Sequence, residues 1–353
     1  MKTLVNMGIG VGLLAALLAG EVWGETPWLD GYTARRRLSV TNLAAIASDQ
    51  ANVPILVKLT SANFSFQGAN SDGHDVRFTS SDGVTPLSFE RERHDAAAQA
   101  AEYWVKLPSL SSTSETVFYL YSRTTPTPDG ADPANVWDSN YAFVYHMNQT
   151  SGNFLDSTSN ARTAEPARGT PAAGFVDGAV SGNELNVLSG PSVPRPGTAT
   201  FEAWFKPTNL SLGRNLVFAF VGANYGYFLL VRGSGTLTSR VHDGTAVYDL
   251  DTPTALAVGT WHYVADVYGD TSPARKLYLD GVLDNSLDSA AIPYWPWFES
   301  NQLVPLEFTC VMDEVRMSTV ARSAAWIRAQ NASMRDQLLR YELQSGGTLI
   351  MIM

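Results

Sequence analysis

A chain of 353 residues has room for two domains of ordinary size, and 45% hydrophobic with 16% charged residues is a globular balance that excludes a disordered chain. The formal charge of −10, with basic residues scattered apart from Arg35, Arg36 and Arg37, leaves no cationic stripe to neutralise a phosphate backbone, which excludes nucleic acid as a partner. Cys310 is the one cysteine, so no intrachain disulfide can form, and its apolar neighbours make it a small buried hydrophobe.

Lys2, an apolar run from Met7 to Leu18 and the Val22-Trp23-Gly24 site have the layout of a signal peptide, with a mature chain starting near Glu25. The run is shorter than the roughly 20 residues of a membrane span. A secreted, periplasmic or cell-surface bacterial protein with no span in the mature chain is therefore expected. Arg35 to Arg37 are expected to be the solvated start of a strand.

Short β-rich runs follow at Leu38–Thr41, Val53–Leu59, Asp75–Thr79, Pro86–Glu90, Tyr103–Leu107 and Thr116–Tyr121, separated by turn signals such as Asp72-Gly73 and Asp82-Gly83. This rhythm predicts an N-terminal β-sandwich over 25–123, since a parallel α/β fold would need intervening helices. Residues 124–136 are expected to be a linker, because Pro126, Pro128, Gly130 and Pro133 cannot continue a strand ladder.

The strand rhythm resumes at Phe143–Met147, Thr200–Lys206, Leu216–Val221, Tyr227–Val231, Thr260–Tyr268 and Lys276–Val282, so a second β domain is expected over 137–340. Phe201, Ala203 and Phe205 alternate with Glu202 and Lys206, as in a strand with one solvated face, and Trp204 falls on that outer face. Asp280-Gly281 is a strong hairpin signal, repeated more weakly by Asp243-Gly244, because a type I′ turn needs positive φ at both central residues. One helix is predicted over Ser323–Leu339, capped by Ser323, and 341–353 is left as a tail of unassigned role.

The segments Asp72-Gly73-His74-Asp75-Val76-Arg77-Phe78, Pro86-Leu87, Tyr103 to Pro108 and Trp137-Asp138 resemble the bacterial domain of unknown function 2341. Tyr145-His146-Met147, Phe201 to Pro207, Trp261 to Ala265, Leu277 to Gly281 and Met312 to Arg316 are similar to the landmarks of concanavalin A-like, laminin G-type jelly rolls, in that family's order. The resemblance implies an all-β chain of two sandwiches, the second a jelly roll. It also implies calcium where the early Asp-Ser loop meets the late Asp-Glu-Val strand, positions matched by Asp156 and Asp313.

Glucanases on this scaffold set an acid and a nucleophile on one strand face about 5 to 5.5 Å apart. Asp313 and Glu314 are adjacent, so a regular strand would point them to opposite faces, and Asp284 and Asp288 have the character of turn residues. No histidine lies in a hydrolase motif: His262 matches a structural position, His146 is expected to be a satisfied strand histidine, and His74 sits in a turn. A polysaccharide lyase would need Arg232, Arg240, His242 and Tyr227 to converge. No His or Cys cluster has zinc spacing, so a transition metal is not implied.

Between Ile292 and Phe298 the chain displays Tyr294, Trp295, Trp297 and Phe298 in a proline-broken loop, rings of the kind that stack on sugar faces. The expected function is a secreted or envelope non-catalytic protein binding a polysaccharide or cell-surface glycan. A glycoside hydrolase or polysaccharide lyase, and a structural or adhesive module, remain as alternatives.

Overall fold

The computed structural model describes residues 26–164, 169–182, 197–210, 214–220, 225–243, 245–269, 272, 274–288 and 310–344. Six strands come first: β1 (Ala34–Val40), β2 (Gln50–Thr60), β3 (Arg77–Ser80), β4 (Phe89–Asp95), β5 (Ala100–Leu110) and β6 (Thr116–Ser122). A one-turn helix α1 (Pro133–Val136) precedes β7 (Tyr141–Tyr145), β8 (Thr170–Ala173), β9 (Gly178–Gly182), β10 (Ala199–Pro207) and β11 (Arg214–Phe220). There follow β12 (Tyr225–Val231), β13 (Thr236–Asp243), β14 (Val247–Ala255), β15 (His262–Tyr268), β16 (Arg275–Leu279), β17 (Val282–Leu287) and β18 (Cys310–Ser318). Helix α2 (Ala324–Met334) and β19 (Leu339–Gln344) end the described chain.

The expected all-β architecture of two sandwiches is present. In the first, the sheet β19-β1-β6-β3 faces the sheet β2-β5-β4; in the second, β17-β16-β15-β10-β18-β9-β8, with β7 also on β18, faces β11-β12-β13-β14. The four sheets lie as successive layers. Phe201, Ala203 and Phe205 of β10 enter the second core with Val264, Met312, Val315 and Met317, as the alternation predicts.

The opposite face of β10 departs from expectation. Trp204 and Glu202 are 0% and 1% exposed, because the outer face of this sheet is covered by the first sandwich and α2 rather than by water. Trp204 stacks on Phe175 with centroids 3.6 Å apart, and Trp104, Trp137, Tyr141, Trp204, Tyr263 and Trp326 belong to one apolar cluster with the first core. Complete burial of such rings stabilises by roughly 1.5–3 kcal/mol each, enough to hold the two sandwiches together.

The Asp280-Gly281 turn forms as expected, with φ of 51° and 80°. Gly244 lies outside the described residues. Ser323 caps α2, its Oγ accepting from the Trp326 amide at 3.0 Å. The helix stops at Met334 and not at Leu339, because Asp336 takes a φ of 55° and turns the chain away. Leu339 instead opens β19, which pairs antiparallel with β1 from Val40↔Leu339 to Arg35↔Gln344. The segment read from sequence as the start of a tail thus completes the first sandwich.

Arg35 is also not solvated: it is 8% exposed, its guanidinium lying 4.5 Å from the ring centroids of both Trp28 and Tyr119. Residues 124–136 run along the first sandwich. Arg91 grips Asp129 at 2.7 and 2.6 Å, the Asp132 amide donates to the Phe89 carbonyl, and Arg77 Nη2 donates to the Pro128 carbonyl.

Candidate functional site

The densest set of titratable side chains among the described residues is at the joint between the sandwiches. It is assembled by β4 of the first sandwich and by His146 and β18 of the second. Glu90 and Glu92 project from β4 toward this joint. Glu90 accepts from Trp137 Nε1 at 2.7 Å through Oε2 and from Ser157 Oγ at 2.6 Å through Oε1. Glu92 Oε2 accepts from Trp104 Nε1 at 2.7 Å.

His146 follows β7 and inserts among these acids. Its Nδ1 lies 2.7 Å from Glu314 Oε1 and 3.4 Å from Glu92 Oε2, while Nε2 lies 3.2 Å from Glu90 Oε2. Glu314 Oε2 is bound by Arg316, whose guanidinium stacks 4.2 Å from the Trp104 centroid and 4.8 Å from Trp137. Arg316 Nη1 donates to Gln330 Oε1 at 3.0 Å, which ties the cluster to α2.

A β-bulge explains how β18 supplies so much charge to one side. Trp204 pairs with Asp313 and Glu202 with Arg316, so one residue of β10 opposes two of β18, and Glu314 adopts a φ of 53°. Met312, Val315 and Met317 still face the second core. Asp313, Glu314 and Arg316 all face the joint, which corrects the expectation that Asp313 and Glu314 point to opposite faces.

Burial dominates the electrostatics. It raises Glu92 and Asp313 well above the usual carboxylate range, with Glu314 adding to the effect on Asp313. Burial alone would lower His146, but Glu314, Glu92 and Glu90 outweigh it and hold the imidazole protonated well above its usual range. Glu90 and Glu314 stay ionised despite burial, because His146 faces both and Arg316 also binds Glu314. The expected histidine satisfied by its surroundings is here the centre of a charged cluster.

Asp156 and Asp313 occupy different surroundings. Asp156 Oδ1 accepts from the Val144 and Thr158 amides, and Oδ2 from Thr158 Oγ1 and the Arg162 amide, at 2.8–3.0 Å. Asp313 Oδ2 accepts from the Phe175 and Val176 amides at 2.7 and 3.0 Å. The two share no hydrogen-bond partner. Tyr294, Trp295, Trp297 and Phe298 lie outside the described residues.

The four lyase candidates do not converge. Tyr227 points into the second core, 1% exposed, with its hydroxyl on Asp266 Oδ2 at 2.8 Å. Arg240 is on the opposite face of the sheet, where it and Arg232 bind Asp249 at 2.7–2.8 Å. His262 donates through Nδ1 to Asp280 and accepts the Ala257 amide through Nε2, a structural role as expected.

The sequence also carries acids at alternating positions, Asp249 and Asp251 on the outer face of β14 as well as Glu90 and Glu92 on β4. Asp251 accepts from Thr238 Oγ1 and lies 3.5 Å from Arg232 Nη2. The hydrogen bond from Arg240 holds Asp249 below the usual carboxylate range, so it is not a proton donor near neutral pH.

Residues 72–162 match the family described as a domain of unknown function (DUF2341), and residues 177–328 match the concanavalin A-like lectin/glucanases superfamily. No curated protein matches the chain. Similar solved structures include domain 4 of AbnA, a GH43 extracellular arabinanase from Geobacillus stearothermophilus, in complex with arabinotriose. It is 20% identical with a TM-score of 0.44, over 54% of this chain and 98% of that one. The Ruminococcus gnavus IT-sialidase CBM40 bound to alpha2,3 sialyllactose is 16% identical with a TM-score of 0.33, over 38% and 82%. The binding domain of botulinum neurotoxin DC in complex with SialylT is 9% identical with a TM-score of 0.42, over 56% and 52%.

Proposed function

We propose that this chain, a domain of unknown function 2341 followed by a concanavalin A-like domain, is an exported, non-catalytic binding protein whose second sandwich recognises glycan. The superfamily of the second domain embraces lectins and glucanases, so the choice rests on the site and not on the fold. One observation favours the lectin side: the acidic strand β18 faces the first sandwich. Asp313 and Glu314 are 0% and 1% exposed there, where no polysaccharide can reach them. The outer face of β11-β12-β13-β14 carries Arg240, Asp249 and Asp251, hydrogen-bonding groups of the type that hydroxyl-rich ligands use. Trp295 and Trp297 are proposed to add stacking.

The test is a glycan array probed with the exported chain, followed by calorimetry on Trp295→Ala and Trp297→Ala. Loss of one stacking ring is expected to weaken binding by about 1–3 kcal/mol with the fold intact. An array with no specific hit, or hits bound equally by both variants and by Arg240→Ala, would count against this surface. Export is tested separately, with an N-terminus near Glu25 expected on the protein recovered outside the cytoplasm.

A further inference from the structure

We propose that Glu92, His146 and Glu314 form a site for one divalent cation of the zinc class, set between the two sandwiches and binding them to each other. The donor atoms of these three residues lie within 4.8 Å of one another. His146 Nδ1 is 2.7 Å from Glu314 Oε1 and 3.4 Å from Glu92 Oε2. A tetrahedral zinc with bonds of about 2.0–2.1 Å keeps neighbouring donors about 3.3 Å apart, so only small side-chain shifts separate the cluster from a coordination shell. One imidazole and two carboxylates suit zinc better than calcium, which takes six to eight oxygens.

Two further observations point to a cation. Glu92 Oε1 is buried without a hydrogen-bond partner among the described residues, on a side chain that is 0% exposed. Burying such an atom is unfavourable unless something satisfies it. The second is the support behind each donor. Glu90 Oε2 stands 3.2 Å from His146 Nε2, within ion-pair distance on the other ring nitrogen from Glu314. Arg316 holds Glu314 through Oε2, and Trp104 donates to Glu92 Oε2, the oxygen 3.4 Å from His146 Nδ1.

Trp104 and Trp137 close over the cluster, so the ion is taken up as the two sandwiches come together. Because the ligands sit at positions 92, 146 and 314, no local spacing in the sequence announces the site.

The full exported chain is unfolded with chelator, refolded with zinc or with cobalt(II), and desalted. One ion per chain is expected, with visible d–d absorption for cobalt. Glu92→Gln keeps the shape of the side chain and removes one carboxylate ligand, and it is expected to weaken zinc binding by more than 100-fold. Glu90→Gln, behind the histidine, is expected to weaken it by 10- to 100-fold. Absence of a stoichiometric ion from the refolded wild type overturns the proposal. So does retention of zinc by Glu92→Gln at wild-type affinity, which would put the ion elsewhere.

Discussion

Ser333 Oγ, on helix α2 of the second half of the chain, accepts the amide of Leu56 on strand β2 of the first at 2.8 Å. β2 is an edge strand of its sheet, so its outward backbone groups have no strand partner. Gln330 donates to the Pro54 carbonyl at 2.8 Å, and the Lys58 amide donates to the Tyr341 hydroxyl at 3.1 Å. The C-terminal helix and strand therefore close the first sandwich by satisfying its edge.

Ser333→Ala leaves the buried Leu56 N–H without a partner and is expected to destabilise the chain by about 1–3 kcal/mol. Chemical denaturation followed by tryptophan fluorescence measures it. A loss below about 0.3 kcal/mol would mean that water reaches this edge.

Ending the chain after Gln337 removes β19 and uncovers β1, whose Arg35–Val40 amides and carbonyls pair with it. The truncated protein is expected to self-associate through the new edge, seen as a shift to larger species in size-exclusion chromatography. A monomer of unchanged melting temperature would show that β19 is dispensable.

The Arg91–Asp129 pair pins residues 124–136, so this stretch is expected to resist limited proteolysis at neutral pH and to be cut in Asp129→Ala. The Arg91 hydrogen bond holds Asp129 below the ordinary Asp range of about 4. A carboxylate depressed in the folded state stabilises fully above that range, and its contribution is lost as pH falls through the folded value. Because Asp129 is 40% exposed, screening limits the pair to about 0.5–1 kcal/mol. Cleavage of wild type and variant at equal rates would remove the pin from the argument.

Asp156→Ala removes four hydrogen bonds that close the loop after β7 and is expected to lower the melting temperature equally with calcium and with a calcium chelator. A loss confined to calcium-containing buffer would show instead that Asp156 serves an ion.

Cys310 is 1% exposed, and burial pushes its thiol well above the usual range. Thiol reagents are expected to label it only on global unfolding, at a rate that follows denaturant. Rapid labelling of the native protein would place it at a surface.

The amino-acid sequence by itself determined the local features whose causes are local. Two-residue alternation put Phe201, Ala203 and Phe205 into a core, Asp280-Gly281 made a hairpin, and Ser323 started a helix, because each depends on residues within a turn or a strand. The order of two domain families was legible for the same reason. What covers a strand is decided elsewhere in the chain. Glu202 and Trp204 read as a solvated face and are buried by a second sandwich, and Leu339 read as helix and is a strand because β1, some 300 residues earlier, offers an open edge. The Glu90, Glu92, His146 and Glu314 cluster was hidden most deeply. Its members come from β4, from the residue after β7 and from β18, and a single bulge at Glu314 turns the last of them toward the others. Periodicity carries no record of such a bulge, since one inserted residue reverses the face of everything beyond it and only the pairing partner shows where it falls.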